Sequence, residues 1–454
     1  RGVEADLLCK APLPQLNTTD ILKIEGTLPP DFATASEERL SHLEIDFVAP
    51  SEHPYMKAIQ SCMKVLEERL RFRIQETVDN HNKNGGSGRL GRTSITTKTI
   101  QPSPPPVLER RRSFGFAAQV PGQISRLDKR SFSRVIWNGK EQEQISNLCT
   151  RVMEFQAAFV EVFRAEKTSL KLLNIFVNKM ERKFRGVYQA CVRDMLKIQP
   201  GFKRAITMAR LLNTEAQHTE DTRDERYEVM DSSFASYTNF MQAAVRTQEA
   251  VFLYAKAVAQ SSGGSVTRTS VKRLYRILEK LALDPKAARG EEVRTWDAAR
   301  MMVLYDTMEH IARGVEQILE DHHKGRVEVV RVKERFSEPT SGGWSDVLIN
   351  LRFPSSCKEL SKLPFELQLG HSQMMVIRKE MGGHHGYAKY RSAKEVLEFL
   401  TYDPENMTGS AAGSRKANFR SEASEVCFAG IVPLPQNSPA PLPLPGGVTH
   451  ESHG

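Results

Sequence analysis

A carboxylate and an amide stand two residues apart in PFELQLGH, as Glu366 and Gln368, alternating with Phe365, Leu367 and Leu369. A period of two is that of a half-buried strand, so Glu366 and Gln368 share one face of a sheet. A rigid sheet face carrying those two groups could place a metal ion and a nucleotide. Just upstream, Val347, Ile349, Leu351 and Phe353 alternate with Asp346, Leu348, Asn350 and Arg352, which predicts a second strand behind a Gly342-Gly343-Trp344 turn.

The surrounding elements must hold that face. From Val266 the pattern is α/β: a helix over Ser270 to Leu283, the segment TWDAARMMVLYDT, a helix over Met308 to Asp321, a strand over Arg326 to Glu334, the two strands above, and a long helix from Ser372. Before it, apolar stripes at helical spacing predict a bundle of three or four helices over 136–262. Ile145, Leu148, Val152, Phe155, Phe159 and Phe163 form one stripe, and Leu173, Phe176, Met180, Phe184, Tyr188 and Cys191 the next. A last long helix carries Tyr227, Met230, Phe234, Tyr237, Met241 and Val245. SSGGS at 261–265 reads as a hinge between two domains. Further upstream, 1–50 reads as irregular, and 51–80 as a helix with Tyr55, Ile59, Cys62, Met63, Leu66 and Leu70 on one face. A basic Gly/Ser/Thr/Pro linker over 81–135 includes Arg110, Arg111 and Arg112 ahead of Ser113, a charge run that a basic-directed kinase could read. The α/β unit spans 266–402, and 403–454 is a Pro-rich tail of polyproline II character that could meet an SH3-like or WW-like module.

The chain has 454 residues, enough for two or three domains, with a net charge of +9 and a pI near 9.2. A basic balance favours polyanionic partners such as nucleotides or RNA, although much of the excess falls in the linker. The six cysteines include no CxxC pair and read as free thiols of a reducing compartment. The adjacent pairs His322-His323 and His384-His385 lack ligand partners at zinc spacing. No apolar run is long enough to span a bilayer. The chain opens on Arg1, as a fragment would.

Residues 266 to about 400 resemble the synthetase domain of the RelA/SpoT family, and in the form PTSGGWSD with ELQL they are similar to a eukaryotic, protist-type branch of it. SVKRLYRILEK places Lys272 and Lys280 at the two lysine positions of the family's basic helix, with Ser270 where the family has Arg and Arg276 where it has Ser. Asp297 precedes Asp306-Thr307 at the family spacing, with Met302 at the family Arg position and Arg300 close by. RVKERF keeps the family lysine as Lys333, and GGWSDVL replaces the family Tyr by Trp344 and its His by Leu348. ELQLGH keeps Glu366 and Gln368 and puts Gly370 where the family has Arg.

The resemblance implies an α+β fold and an ATP-dependent pyrophosphokinase, which passes the β,γ-pyrophosphate of ATP to the 3′-hydroxyl of GDP or GTP. Some relatives use the 3′ end of tRNA as acceptor instead. It further implies Mg²⁺ on Asp297 and Glu366, with Glu366 also taking the proton of the attacking hydroxyl. Lys272, Lys280, Arg300, Lys333 and Gln368 would bind nucleotide phosphates and polar groups, and Trp344 would offer a ring to the base. The departures at Met302, Leu348 and Gly370 motivate an alternative, a catalytically inactive nucleotidyltransferase-like domain in a helical scaffold that meets its partner through the bundle. No HD motif of the family's hydrolase half precedes the domain.

Overall fold

The computed structural model describes residues 2–36, 38–84, 139–217, 230–231, 234–284, 295–381, 383–401 and 428–429. The linker with Arg110–Arg112 and Ser113, and the Pro-rich tail apart from 428–429, lie outside the described residues. The fold is α+β, built on one five-stranded mixed sheet.

In chain order the helices are α1 (Gly2–Lys10), α2 (Thr18–Ile21), α3 (Pro54–Asn84), α4 (Gly139–Ala165), α5 (Lys167–Cys191), α6 (Phe202–Gln217), α7 (Phe234–Ser262), α8 (Leu274–Ala282), α9 (Met308–His323), α10 (Ser372–Glu380) and α11 (Gly383–Thr401). Strands β1 (Leu22–Glu25) and β2 (Glu44–Phe47) pair antiparallel by themselves. The main sheet uses β3 (Ser265–Thr267), β4 (Ala299–Tyr305), β5 (Glu328–Glu334), β6 (Val347–Arg352) and β7 (Phe365–His371) in the order β3-β4-β7-β6-β5. Only β4 and β7 run parallel; the other neighbours are antiparallel. The expected helices and strands over 270–371 are all present within a few residues of their expected ends. The helix expected from Ser372 is broken near Met381 into α10 and α11.

Residues 1–50, expected to be irregular, contribute α1, α2 and the β1–β2 pair. Their short alternation was too brief to stand out, yet it buries Leu22 and Phe47, whose ring meets Phe159 and Phe176 at 5.9 and 5.7 Å. The last bundle helix begins at Phe234, so Met230 falls outside it, in a two-residue bridge to Phe428.

Alternation in β4, β6 and β7 sends Met301, Val303, Ile349, Leu351, Phe365, Leu367 and Leu369 to one face, all buried. Helices α6, α7 and α9 cover this side of the sheet, and Tyr254 of α7 packs edge-on against Phe353 and Phe365 at 6.5 and 6.1 Å. Each such side chain contributes roughly 1.5–3 kcal/mol by burial. Of the glycine pair after α7, Gly263 is exposed and Gly264 half-buried, while residues on either side of the pair belong to one cluster of buried side chains. Ser262 hydrogen-bonds Tyr305 Oη at 2.8 Å, and a Cβ on Gly264 would stand 2.5 Å from the Tyr305 ring. The glycine is there for close approach of chain to ring.

Candidate functional site

The opposite sheet face carries the polar residues, and the strand register lines them up. Arg300 on β4 pairs with Glu366 on β7, Glu366 with Asn350 on β6, and Asn350 with Arg331 on β5. This is a row of four polar side chains across four strands. The next row runs Met302, Gln368, Leu348 and Lys333. An open, solvated face was the expectation, but Glu366 is 7% exposed and Asn350 fully enclosed. The polar side chains are covered because they bond to one another and to the chain above them. Gln368 Nε2 donates to Glu366 Oε1 at 2.7 Å, Arg331 Nε to Asn350 Oδ1 at 3.0 Å, and Asn350 Nδ2 to the Trp296 carbonyl at 3.2 Å. The Arg331 guanidinium also lies 5.1 Å above the Trp296 ring.

Asp297 stands just ahead of β4, and the segment before α8 and α8 itself bring one lysine each to it. Lys272 Nζ donates to both carboxylate oxygens, at 2.8 and 2.6 Å, with both side chains almost wholly buried. Lys280 Nζ lies 3.9 Å from the same carboxylate. Lys272 precedes the helix and Lys280 sits in its last turn, and both ammonium ends reach the one acid. Burial alone would raise the Asp297 carboxyl, but Lys272, Lys280 and Arg300 hold it well below the usual range, so it stays ionised. Burial, reinforced by the charges of Lys272 and Arg391, pushes Lys280 well down. Glu366 is shifted the other way: burial, then the Asp297 charge, raise it, against Arg335 and Arg300. Two carboxylates that sense each other and titrate far apart are the usual signature of divided roles, one permanently charged and one able to take a proton.

Several further cations reach this place. Arg276 on α8 grips Glu395 of α11 with two bonds of 2.8 and 2.9 Å and also bonds Glu279, while Arg391 Nε reaches Glu395 at 3.2 Å. Arg276, Arg391 and Lys280 outweigh burial and hold Glu395 at about 2. Arg335 bonds the enclosed Asp346 at 3.2 Å. Sequence reasoning missed Arg331, Asn350, Arg335, Arg391 and Glu395 as members of the site. For Arg391 and Glu395 a signal existed in their i,i+4 spacing; for Arg331 and Asn350 only strand register could supply one.

The structure brings Lys272, Lys280, Asp297, Arg300, Glu366 and Gln368 together, with Lys333 in the neighbouring row. Trp344 lies apart from them in a tight turn, in which Gly343 adopts φ +87°. Its Nε1 donates to Asp346 Oδ2 at 2.9 Å, Tyr188 meets it edge-on at 5.5 Å, and the Arg378 guanidinium lies 5.1 Å above its ring. The ring face that a base would use is thus shared with a cation, and the indole is buried.

Among the described residues no group of three or more His, Cys, Asp or Glu is placed to hold a metal ion. The donors Asp297 and Glu366 do suit Mg²⁺, which takes one or two carboxylates and completes its shell with phosphate oxygens and water. In this structure Lys272 is the counter-ion of Asp297, so an incoming metal would displace an ammonium rather than fill a gap. No described helix is long and apolar enough to cross a membrane. In comparisons with known proteins, no family model, no curated protein and no solved structure matches the chain.

Proposed function

We propose that the site is that of a nucleotide pyrophosphotransferase of the RelA/SpoT type, with ATP as donor and the 3′-hydroxyl of GDP or GTP as acceptor. One observation carries the reading: Lys272 donates to both oxygens of the buried Asp297 with Lys280 at 3.9 Å, and the buried Glu366, whose carboxyl is raised by burial and the Asp297 charge, stands one strand over from Arg300. These cations already have acidic partners, Lys272 and Lys280 in Asp297, Arg335 in Asp346 and Arg391 in Glu395, and a triphosphate would compete with those acids for them.

In the reaction, the acceptor's 3′-oxygen attacks the β-phosphorus of ATP, the bond from that phosphorus to the α,β-bridging oxygen breaks, and AMP leaves. The proton of the 3′-hydroxyl passes to Glu366, whose raised pKa suits a base. Lys272, Lys280 and Arg300 balance phosphate charge, and Gln368 orients the Glu366 carboxylate through its 2.7 Å bond. Mg²⁺, when bound through Asp297 and Glu366, would screen the phosphates and polarise the β-phosphoryl group.

The test is incubation of the full chain with ATP labelled in its γ-phosphate, Mg²⁺ and GDP, GTP or tRNA in parallel. A labelled guanosine tetra- or pentaphosphate, absent with Glu366→Gln, supports the reading. A label found only on tRNA changes the acceptor. No transfer to any of the three overturns the enzyme reading. A second reading, a binding domain without catalysis, is favoured by the Lys272 ammonium on both Asp297 oxygens and by the enclosed Trp344 ring. Nucleotide binding without transfer would select it.

A further inference from the structure

The turn that presents Lys272 is gripped at both ends by a helix some 200 residues away in the chain. Glu67 Oε1 on α3 accepts the Leu274 N–H at 3.1 Å, and Arg71 Nη2, one turn later on α3, donates to the Val271 carbonyl at 3.3 Å. Glu67 and Arg71 also pair with each other at 3.6 Å. Leu274 is the first residue of α8, and the residue before it, Arg273, provides no side-chain cap. Free N–H groups at a helix start need an acceptor, and here another helix provides one. Glu67 is 4% exposed, so it is a costly group to bury unless its bonds are needed. Between the two grips, Lys272 N–H bonds the Ala298 carbonyl at 2.9 Å, right beside Asp297.

We propose that Glu67 and Arg71 are positioning residues for Lys272: by fixing the two ends of the turn 271–274, α3 sets where the Lys272 ammonium meets Asp297 and, in the enzyme, the donor phosphates. The second half rests on the reading of the site as a nucleotide site; the first half does not. The consequence is that whatever displaces α3 displaces a phosphate ligand, so α3 couples the N-terminal region to the chemistry.

The experiment compares the full chain with Glu67→Ala, Glu67→Gln and Arg71→Met. Two readouts are needed, acylation of individual lysines by limiting acetic anhydride, followed by peptide mass spectrometry, and the KM for ATP against kcat. Glu67→Ala leaves the Leu274 N–H without its acceptor, and labelling of Lys272 is expected to rise about tenfold or more, with Lys333 unchanged. Glu67→Gln keeps an acceptor oxygen and is expected to stay within about twofold of the parent, and Arg71→Met to fall between. Where transfer occurs, KM for ATP rises in step with Lys272 labelling while kcat holds. Lys272 labelling at the parent level in a folded Glu67→Ala or Arg71→Met chain overturns the proposal, as does an equal rise at Lys272 and Lys333, which is general loosening. If Glu67→Ala does not fold, Arg71→Met decides by the same readings. If the parent transfers no pyrophosphate, the labelling still decides the positioning of Lys272, and only the enzyme reading is lost.

Discussion

Replacing Asp297 by Asn removes the one acid that two buried lysines share. Lys272 and Lys280 side chains are 2% and 8% exposed, and their distances to the carboxylate are 2.6 and 3.9 Å. Removing one partner of a buried pair leaves a charge in a poor solvent and costs about 3–5 kcal/mol. Glu366 can take up part of the Lys272 charge, so the loss is set near the lower end, about 3 kcal/mol at neutral pH. That is a large share of the roughly 5–15 kcal/mol that holds a domain together. The pH dependence has a definite sign. Burial and neighbouring cations already depress Lys280, and losing Asp297 depresses both lysines further. A base whose folded pKa lies below its unfolded value binds fewer protons in the folded state, so stability rises with pH between the two values. The deficit of Asp297→Asn should therefore shrink to about 1–2 kcal/mol near pH 9, close to where lysines shed protons. Urea unfolding of both proteins across that range measures it. A deficit under about 1 kcal/mol at neutral pH, or one that grows with pH, refutes the claim that Asp297 holds the buried Lys272 charge.

Glu366→Gln should raise the unfolding midpoint at neutral pH and leave it unchanged in acid. The folded state favours the protonated carboxyl, so the native contribution of Glu366 is lost as pH rises through its raised pKa, and the amide does not titrate; calorimetry at two pH values checks this. The same shift predicts that transfer by the parent chain falls as pH drops through the raised Glu366 value, as a pH–rate profile would show. Trp344→Phe keeps the ring and removes the Nε1 bond to the fully buried Asp346, costing about 1–3 kcal/mol by denaturant unfolding. Since the indole is enclosed, that variant should change the KM for a guanine nucleotide by less than about threefold.

The sheet and its helices were legible because their signals are local. Alternation in Asp346–Phe353 and Pro364–His371 announces strands, and the stripe from Ile145 to Phe163 announces α4. The candidate site was legible in part, through Lys272, Lys280, Asp297, Glu366 and Gln368, whose types and spacing carry the family resemblance. Its enclosure was not. A Glu alternating with leucines reads as the wet side of a sheet, and only the pairing of four strands shows that Arg300, Glu366, Asn350 and Arg331 form one row. Glu67, Arg391 and Glu395 reach the site from α3 and α11, and no sequence window contains both them and Asp297. The enclosure of Trp344 depends on Tyr188 and Arg378, which lie outside its own stretch of sequence. Within SSGGS, the closeness of Gly264 to the Tyr305 ring was likewise invisible to any local window.

Phosphorus-31 NMR of the full chain with ATP, GTP and Mg²⁺ tests the central claim most directly, because it reports which phosphorus is attacked. Attack at the β-phosphorus predicts AMP and a 3′-pyrophosphorylated guanine nucleotide in equal amounts, with both lost in Glu366→Gln. ADP with inorganic phosphate, or no change in either nucleotide over a long incubation, would contradict it.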